Sequence, residues 1–109
     1  MATTYKVLGQ SIPAATTQAT LYTVPSATQA VVSSIVICNQ ATSAATFRLA
    51  IRVAGATLAT SQYIAYDVTV GASDSTVLTM GLTLGAADLL TVYASTATVS
   101  FSAYGSEIA

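Results

Sequence analysis

Phe47-Arg48-Leu49-Ala50-Ile51-Arg52-Val53 is the stretch that decides the fold class. Phe47, Leu49, Ile51 and Val53 fall on one face of an extended chain, and Arg48, Ala50 and Arg52 fall on the other. A helix would scatter the same apolar residues around its circumference, whereas period two is the signature of a half-buried strand. The pattern recurs in Leu78–Leu84, where Leu78, Met80, Leu82 and Leu84 alternate with Thr79, Gly81 and Thr83. It recurs again in Thr98–Tyr104, where Val99, Phe101 and Ala103 alternate with Ser100 and Ser102.

Outward from these three strands, other segments read as strands with weaker alternation. Ala30–Cys38 is β-branched and apolar on both faces, which suits a central strand or one whose outer face another subunit covers. Thr20–Val24, Tyr63–Val70 and Leu89–Ala94 are shorter, and Thr4–Leu8 reads as a first edge strand. Pro13 and Pro25 fall between strands, where a missing backbone donor is tolerated. Gly71-Ala72-Ser73-Asp74 and Gly85-Ala86-Ala87-Asp88 repeat a Gly-Ala-x-Asp turn pattern, with Gly supplying a positive φ and Asp accepting backbone hydrogen bonds. Val53-Ala54-Gly55-Ala56 reads as a tight turn, and Gly81 inside a strand marks a bulge or a close backbone approach. Only Gln10–Ala19 leaves room for a short turn of helix. About eight strands at this spacing predict one all-β domain over residues 1–109, an antiparallel β-sandwich of jelly-roll type, with a short N-terminal arm over residues 1–20.

Composition narrows the function. The 109 residues include 3 Lys and Arg and 4 Asp and Glu, with no His, no Trp and one Cys. A net charge of −1 excludes electrostatic binding of nucleic acid, which requires clustered basic residues. No apolar run approaches the roughly 20 residues of a membrane-spanning helix, and the Met-Ala-Thr-Thr-Tyr-Lys start lacks a signal peptide's basic and apolar regions. The expectation is a soluble chain made without export. At 53% hydrophobic residues, it also lacks the low hydrophobicity and high net charge of a disordered segment.

Catalytic and metal chemistry find little to work with. Without His there is no imidazole base and no His-liganded metal. Asp67, Asp74, Asp88 and Glu107 are spaced 7, 14 and 19 residues apart, unlike the clustered oxygen ligands of a calcium loop. They read as turn-forming and solubilising acids. A two-carboxylate hydrolase needs a cleft as well, and the connections are too short to build one. Cys38 ends the run Ile35-Val36-Ile37 and reads as a small buried hydrophobe. No Gly-x-Ser-x-Gly elbow and no phosphate-binding glycine loop is present. The chain is expected to be non-enzymatic, with no cofactor and no metal.

Arg48, Arg52, Tyr63 and Tyr66 are the candidate interface residues. The two arginines, four apart on a strand, lie on one face at about 13 Å. Their plain role is solubilisation. Their functional role is bidentate pairing with acids of a neighbouring subunit. Tyrosine offers large contact area at small entropic cost, which favours interfaces. So few charges leave a neutral, hydroxyl-rich surface that resists association weakly, which fits either a monomer with a hydroxyl-rich skin or, as the high apolar fraction favours, a subunit covered by copies or partners.

Several strings carry a family resemblance. Leu21-Tyr22-Thr23-Val24-Pro25, Ser34-Ile35-Val36-Ile37-Cys38-Asn39 and Thr46-Phe47-Arg48-Leu49 resemble small virion structural proteins of tailed bacteriophages. Tyr63-Ile64-Ala65-Tyr66-Asp67, Gly81-Leu82-Thr83-Leu84, Asp88-Leu89-Leu90-Thr91-Val92-Tyr93 and Ser100–Glu107 continue the resemblance over nearly the whole chain. It implies a β-sandwich or jelly-roll module without enzymatic activity and assigns no residue a role. At this size it further implies a capsid cement or decoration subunit in the virion, assembled in the host cytoplasm. Its expected partners are itself, as a trimer, and the major capsid protein or other virion proteins, with no nucleic acid and no membrane. A small tail, neck or baseplate subunit is the alternative. A carbohydrate- or host-surface-binding β-module is the alternative of another class.

Overall fold

A computed structural model describes residues 2–109. It contains eight strands: β1 (Thr3–Ser11), β2 (Ala19–Thr23), β3 (Gln29–Asn39), β4 (Ala45–Arg52), β5 (Tyr63–Val70), β6 (Ser75–Leu84), β7 (Leu89–Ala94) and β8 (Val99–Ile108). They form two antiparallel four-stranded sheets, ordered β1-β8-β3-β6 and β2-β7-β4-β5. The first half of the chain pairs with the second half in reverse, β1 with β8, β2 with β7, β3 with β6 and β4 with β5. The result is an all-β sandwich, as the alternating runs predict.

The inner faces meet in one apolar core. Phe47 of β4 and Phe101 of β8 come from opposite sheets and pack edge to face at 6.1 Å between ring centroids. Ile35, Ile37, Leu49, Leu90, Val92 and Val99 fill the space around them and are fully buried. The three cleanly alternating segments supply β4, β6 and β8, and most of their apolar positions enter the core, but Val53 falls past the end of β4 and Met80 sits beside the Gly81 bulge, and both are exposed.

Bulges adjust this regularity. Between Val32 and Ser34 the register of β3 shifts against both β6 and β8. The Ser33 hydroxyl donates to the Tyr104 carbonyl at 3.1 Å. Opposite, Gly81 adopts φ +60°, the left-handed conformation expected of a bulge glycine. Inward positions therefore run Ala30 and Val32 before the bulge, then Ile35, Ile37 and Asn39 after it. This parity change corrects the reading of Cys38. The thiol lies half-buried on the outer face of β3, and the neighbouring Asn39 takes the buried place.

Asn39 ties one end of the sandwich together. Its Nδ2 donates to the carbonyls of Ser43, Gly71 and Val70 at 2.9, 3.2 and 3.4 Å. Its Oδ1 accepts from the Ala41 N–H at 3.1 Å and the Thr98 hydroxyl at 3.2 Å. One side chain thus joins the β3–β4, β5–β6 and β7–β8 connections. At the opposite end Asp88 plays a similar part, accepting from the N–H groups of Gly85 and Ala54, both at 2.8 Å.

Two turn readings are corrected. The positive φ of the Gly-Ala-x-Asp turns falls on Ser73 and Ala87, not on the glycines. The helical turn lies at Thr60–Gln62, within the β4–β5 connection, and not in Gln10–Ala19, while Val53–Ala56 forms the expected tight turn, with Ala54 and Gly55 at positive φ and the Ala56 N–H donating to the Val53 carbonyl at 3.0 Å. In Gln10–Ala19 the backbone forms one non-helical turn, with the Thr17 N–H donating to the Ala14 carbonyl at 3.2 Å, and otherwise bonds to other strands. Gln10 and Ser11 extend β1 against β8, and the Thr16 N–H donates to the Ala94 carbonyl of β7 at 2.9 Å.

Two substitutions test these joints by urea denaturation. Asn39→Ala leaves buried carbonyls without donors and is expected to cost roughly 3 kcal/mol. A Cβ at Gly105, in the middle of β8, would lie 1.9 Å from the Val31 carbonyl oxygen. Gly105→Ala must push β8 and β3 apart, and is expected to cost at least about 2 kcal/mol.

Candidate functional site

The seven charged side chains are sorted by the fold. Arg48, Arg52 and Asp67 belong to the β2-β7-β4-β5 sheet, while Asp74 and Asp88 lie in connections. Lys6 and Glu107 pair at 2.8 Å, and Glu107 also accepts the hydroxyl of buried Tyr22 from the other sheet. That trio therefore faces inward, where β1 and β8 approach β2. Among the described residues, the outer face of the β1-β8-β3-β6 sheet is left without a charged side chain. It presents Tyr5, Val7, Val31, Val36, Val77 and Tyr104, interspersed with Ser and Thr. Tyr5, Val77 and Val7 are 83%, 59% and 48% exposed.

The outer face of the second sheet is different. Arg48 lies on central strand β4, directly across from Tyr93 of β7 and opposite a bulge of β5 that carries Tyr66 and Asp67. Its Nε donates to Asp67 Oδ1 at 2.6 Å and its Nη2 to Asp67 Oδ2 at 3.2 Å. The guanidinium carbon sits 4.2 Å from the Tyr66 ring centroid and 4.4 Å from that of Tyr93, within cation–π range of both. Tyr63 packs edge to face on Tyr66 at 5.0 Å. The Asp67 hydrogen bonds hold Arg48 above its ordinary pKa, and Arg48 in turn holds the Asp67 carboxyl below its own. Asp67 is accordingly an ion-pair partner in a strand bulge, with φ +50°, and not a turn residue.

Of the four residues singled out in the sequence, the fold gathers Arg48, Tyr63 and Tyr66. Arg52 is spent on its own chain, donating to the carbonyls of Ala56 and Gly55 at 2.6 and 3.3 Å. Two further residues join the cluster. Tyr93 supplies the second ring against Arg48, and Thr91 lies two residues back on the same face of β7. The alternation of Leu90, Val92 and Ala94 already turns Thr91 and Tyr93 outward. What the sequence does not contain is the register that sets Tyr93 beside Arg48.

A pocket of about 230 Å³ opens beside this cluster, lined by Arg48, Ala50, Tyr63, Thr91, Tyr93 and, from the two flanking connections, Thr16, Gln18 and Leu58, with Val92 beneath. The arrangement can hold a small molecule between tyrosine rings and hydroxyl or amide groups. Comparison of the chain with models of known protein families and with curated proteins finds no match in either.

The Tyr22–Glu107 contact has a pH signature. Hydrogen bonds from Lys6 and Tyr22 lower the Glu107 pKa, so its contribution to stability is present above the ordinary carboxylate range, about 4.3, and lost as pH falls through the lowered value. Burial, and then Glu107, raise the Tyr22 pKa. Its contribution is present below about 10 and lost as pH rises beyond that. Tyr22→Phe is expected to flatten the alkaline loss of stability between about pH 10 and 12 and to shift the acid loss upward, read from urea midpoints across pH.

Proposed function

We propose that this chain is a non-enzymatic structural subunit of a tailed-phage virion, a capsid cement or decoration protein. It associates with copies of itself, as a trimer, and with the major capsid protein. The observation that carries the reading is the charge-free outer face of the β1-β8-β3-β6 sheet. A sheet face exposed to water on a monomer normally carries charges of both signs. Here β1, β8, β3 and β6 present mainly tyrosine, valine and hydroxyl side chains, with Cys38 and two glutamines among them and no charge. A stable interface buries roughly 800 Å² per partner, a modest share of the 5387 Å² of accessible surface. Two other features support the setting. The strings from Leu21–Pro25 to Ser100–Glu107 resemble virion structural proteins. The reverse pairing of the two chain halves reads as a jelly roll, an architecture used in viral capsid domains.

Burial of neutral surface drives this assembly, and many copies on a shell multiply weak contacts into avidity. Light scattering is expected to show a trimer whose association changes little between about 0.1 and 1 M salt, over which the Debye length falls from about 10 to about 3 Å. Val77→Asp or Tyr5→Asp is expected to weaken association at least tenfold with the melting temperature unchanged, because both side chains are exposed. A monomer at every concentration, without affinity for capsids, would sink the proposal. A few copies on one particle axis, in place of many over the shell, would move the protein to the tail, neck or baseplate.

A further inference from the structure

The pocket on the opposite sheet holds an unusual group. Thr91 is 4% exposed, and its hydroxyl has no hydrogen-bond partner in the chain. It is the one buried side-chain oxygen or nitrogen left without a partner among the described residues. A threonine hydroxyl both donates and accepts, and burial without a partner is unfavourable. Each such group in a native fold calls for an explanation, and here the pocket supplies one.

We propose that this pocket binds a single neutral sugar ring, with the Thr91 hydroxyl hydrogen-bonded to one of its hydroxyls. Three observations lead to that ligand class. First, size: about 230 Å³ falls below the roughly 300–1,000 Å³ of sites for larger ligands and suits a single ring. Second, lining: the rings of Tyr63 and Tyr93 offer apolar surface to the C–H face of a pyranose, while Thr16, Gln18 and Thr91 offer the polar groups that its hydroxyls need. Third, charge: Arg48 is the pocket's only charged side chain, and Asp67 already neutralises it through two hydrogen bonds. The remaining guanidinium N–H groups are donors to a neutral oxygen, without the uncompensated charge that would select a carboxylate or phosphate. Tyr66 and Tyr93 both pack against the guanidinium and hold it in place.

The site is independent of the assembly face, because it lies on the other sheet. The test is an NMR titration of the full chain with glucose, galactose, mannose, N-acetylglucosamine and glucuronate. Saturable shifts at Thr91, Tyr63 and Tyr93 are expected with at least one neutral sugar. Thr91→Val and Tyr93→Ala should each weaken binding at least tenfold, and Thr91→Val should do so without lowering the melting temperature. Absence of saturable shifts with all five sugars overturns the proposal. So does binding that survives Thr91→Val unchanged. Glucuronate binding ahead of every neutral sugar overturns the assignment of a neutral ligand. None of these outcomes alters the oligomeric state, so failure here is distinct from failure of the assembly reading.

Discussion

The architecture depends on the buried amide of Asn39. Apolar faces hold two sheets together without directional preference, so the Phe47–Phe101 contact alone would not fix how the connections close over the core. Asn39 supplies direction. It projects from β3 in one sheet and bonds the carbonyl of Val70, which ends β5 in the other, along with three connections at that end of the sandwich. The amide suits this place because it carries donors and an acceptor on one short, rigid group. An aliphatic side chain would fill the space and leave the loop carbonyls unpaired.

Much of this was readable in the chain, and the exceptions share a cause. Phe47–Arg52 and Val99–Ala103 keep strict alternation because their inner residues all meet the core. Gly81 announced its own bulge. Cys38 and Asn39 were harder. The bulge at Ser33 reverses inward and outward along β3, and a run apolar on both faces gives no sign of where the reversal falls. The Arg48 cluster shows the same limit. Its members come from β4, β5 and β7, and a bulge at Tyr66–Asp67 decides which side chain faces the guanidinium. Sequence alternation places Thr91 and Tyr93 on the correct face. It carries no information on their neighbours across strands, because register is set by pairing over long separations. Gln10–Ala19 was open to a helical turn on composition alone, and its backbone donors instead found β7 and β8.

The two outer faces have been given different chemistry by a chain with very few charges. Arg48, Arg52 and Asp67 are concentrated on one sheet, where each is engaged within the molecule. The outer face of the other sheet has none among the described residues, because its Lys6 and Glu107 turn inward, and the polarity of that face comes mainly from hydroxyls. A random scatter of seven charges over eight strands would spoil both surfaces. Segregation keeps one face neutral and gives the other an anchored cation with aromatic walls, so the assembly surface and the sugar pocket proposed above do not compete for the same strands.

Strand β8 is the last of the eight to be made, yet it occupies an interior position between β1 and β3. Until it is made, the earliest strand has no partner, and β3 has one bare side. The first sheet is therefore completed only once its last strand is made, by threading β8 into a waiting gap. Pairings of such long sequence separation close slowly, in milliseconds to seconds for β-sandwiches. During that interval the nascent chain exposes two adhesive strand edges with almost no electrostatic repulsion to keep neighbours away. Crowded production is where this sequence is most exposed to misassembly.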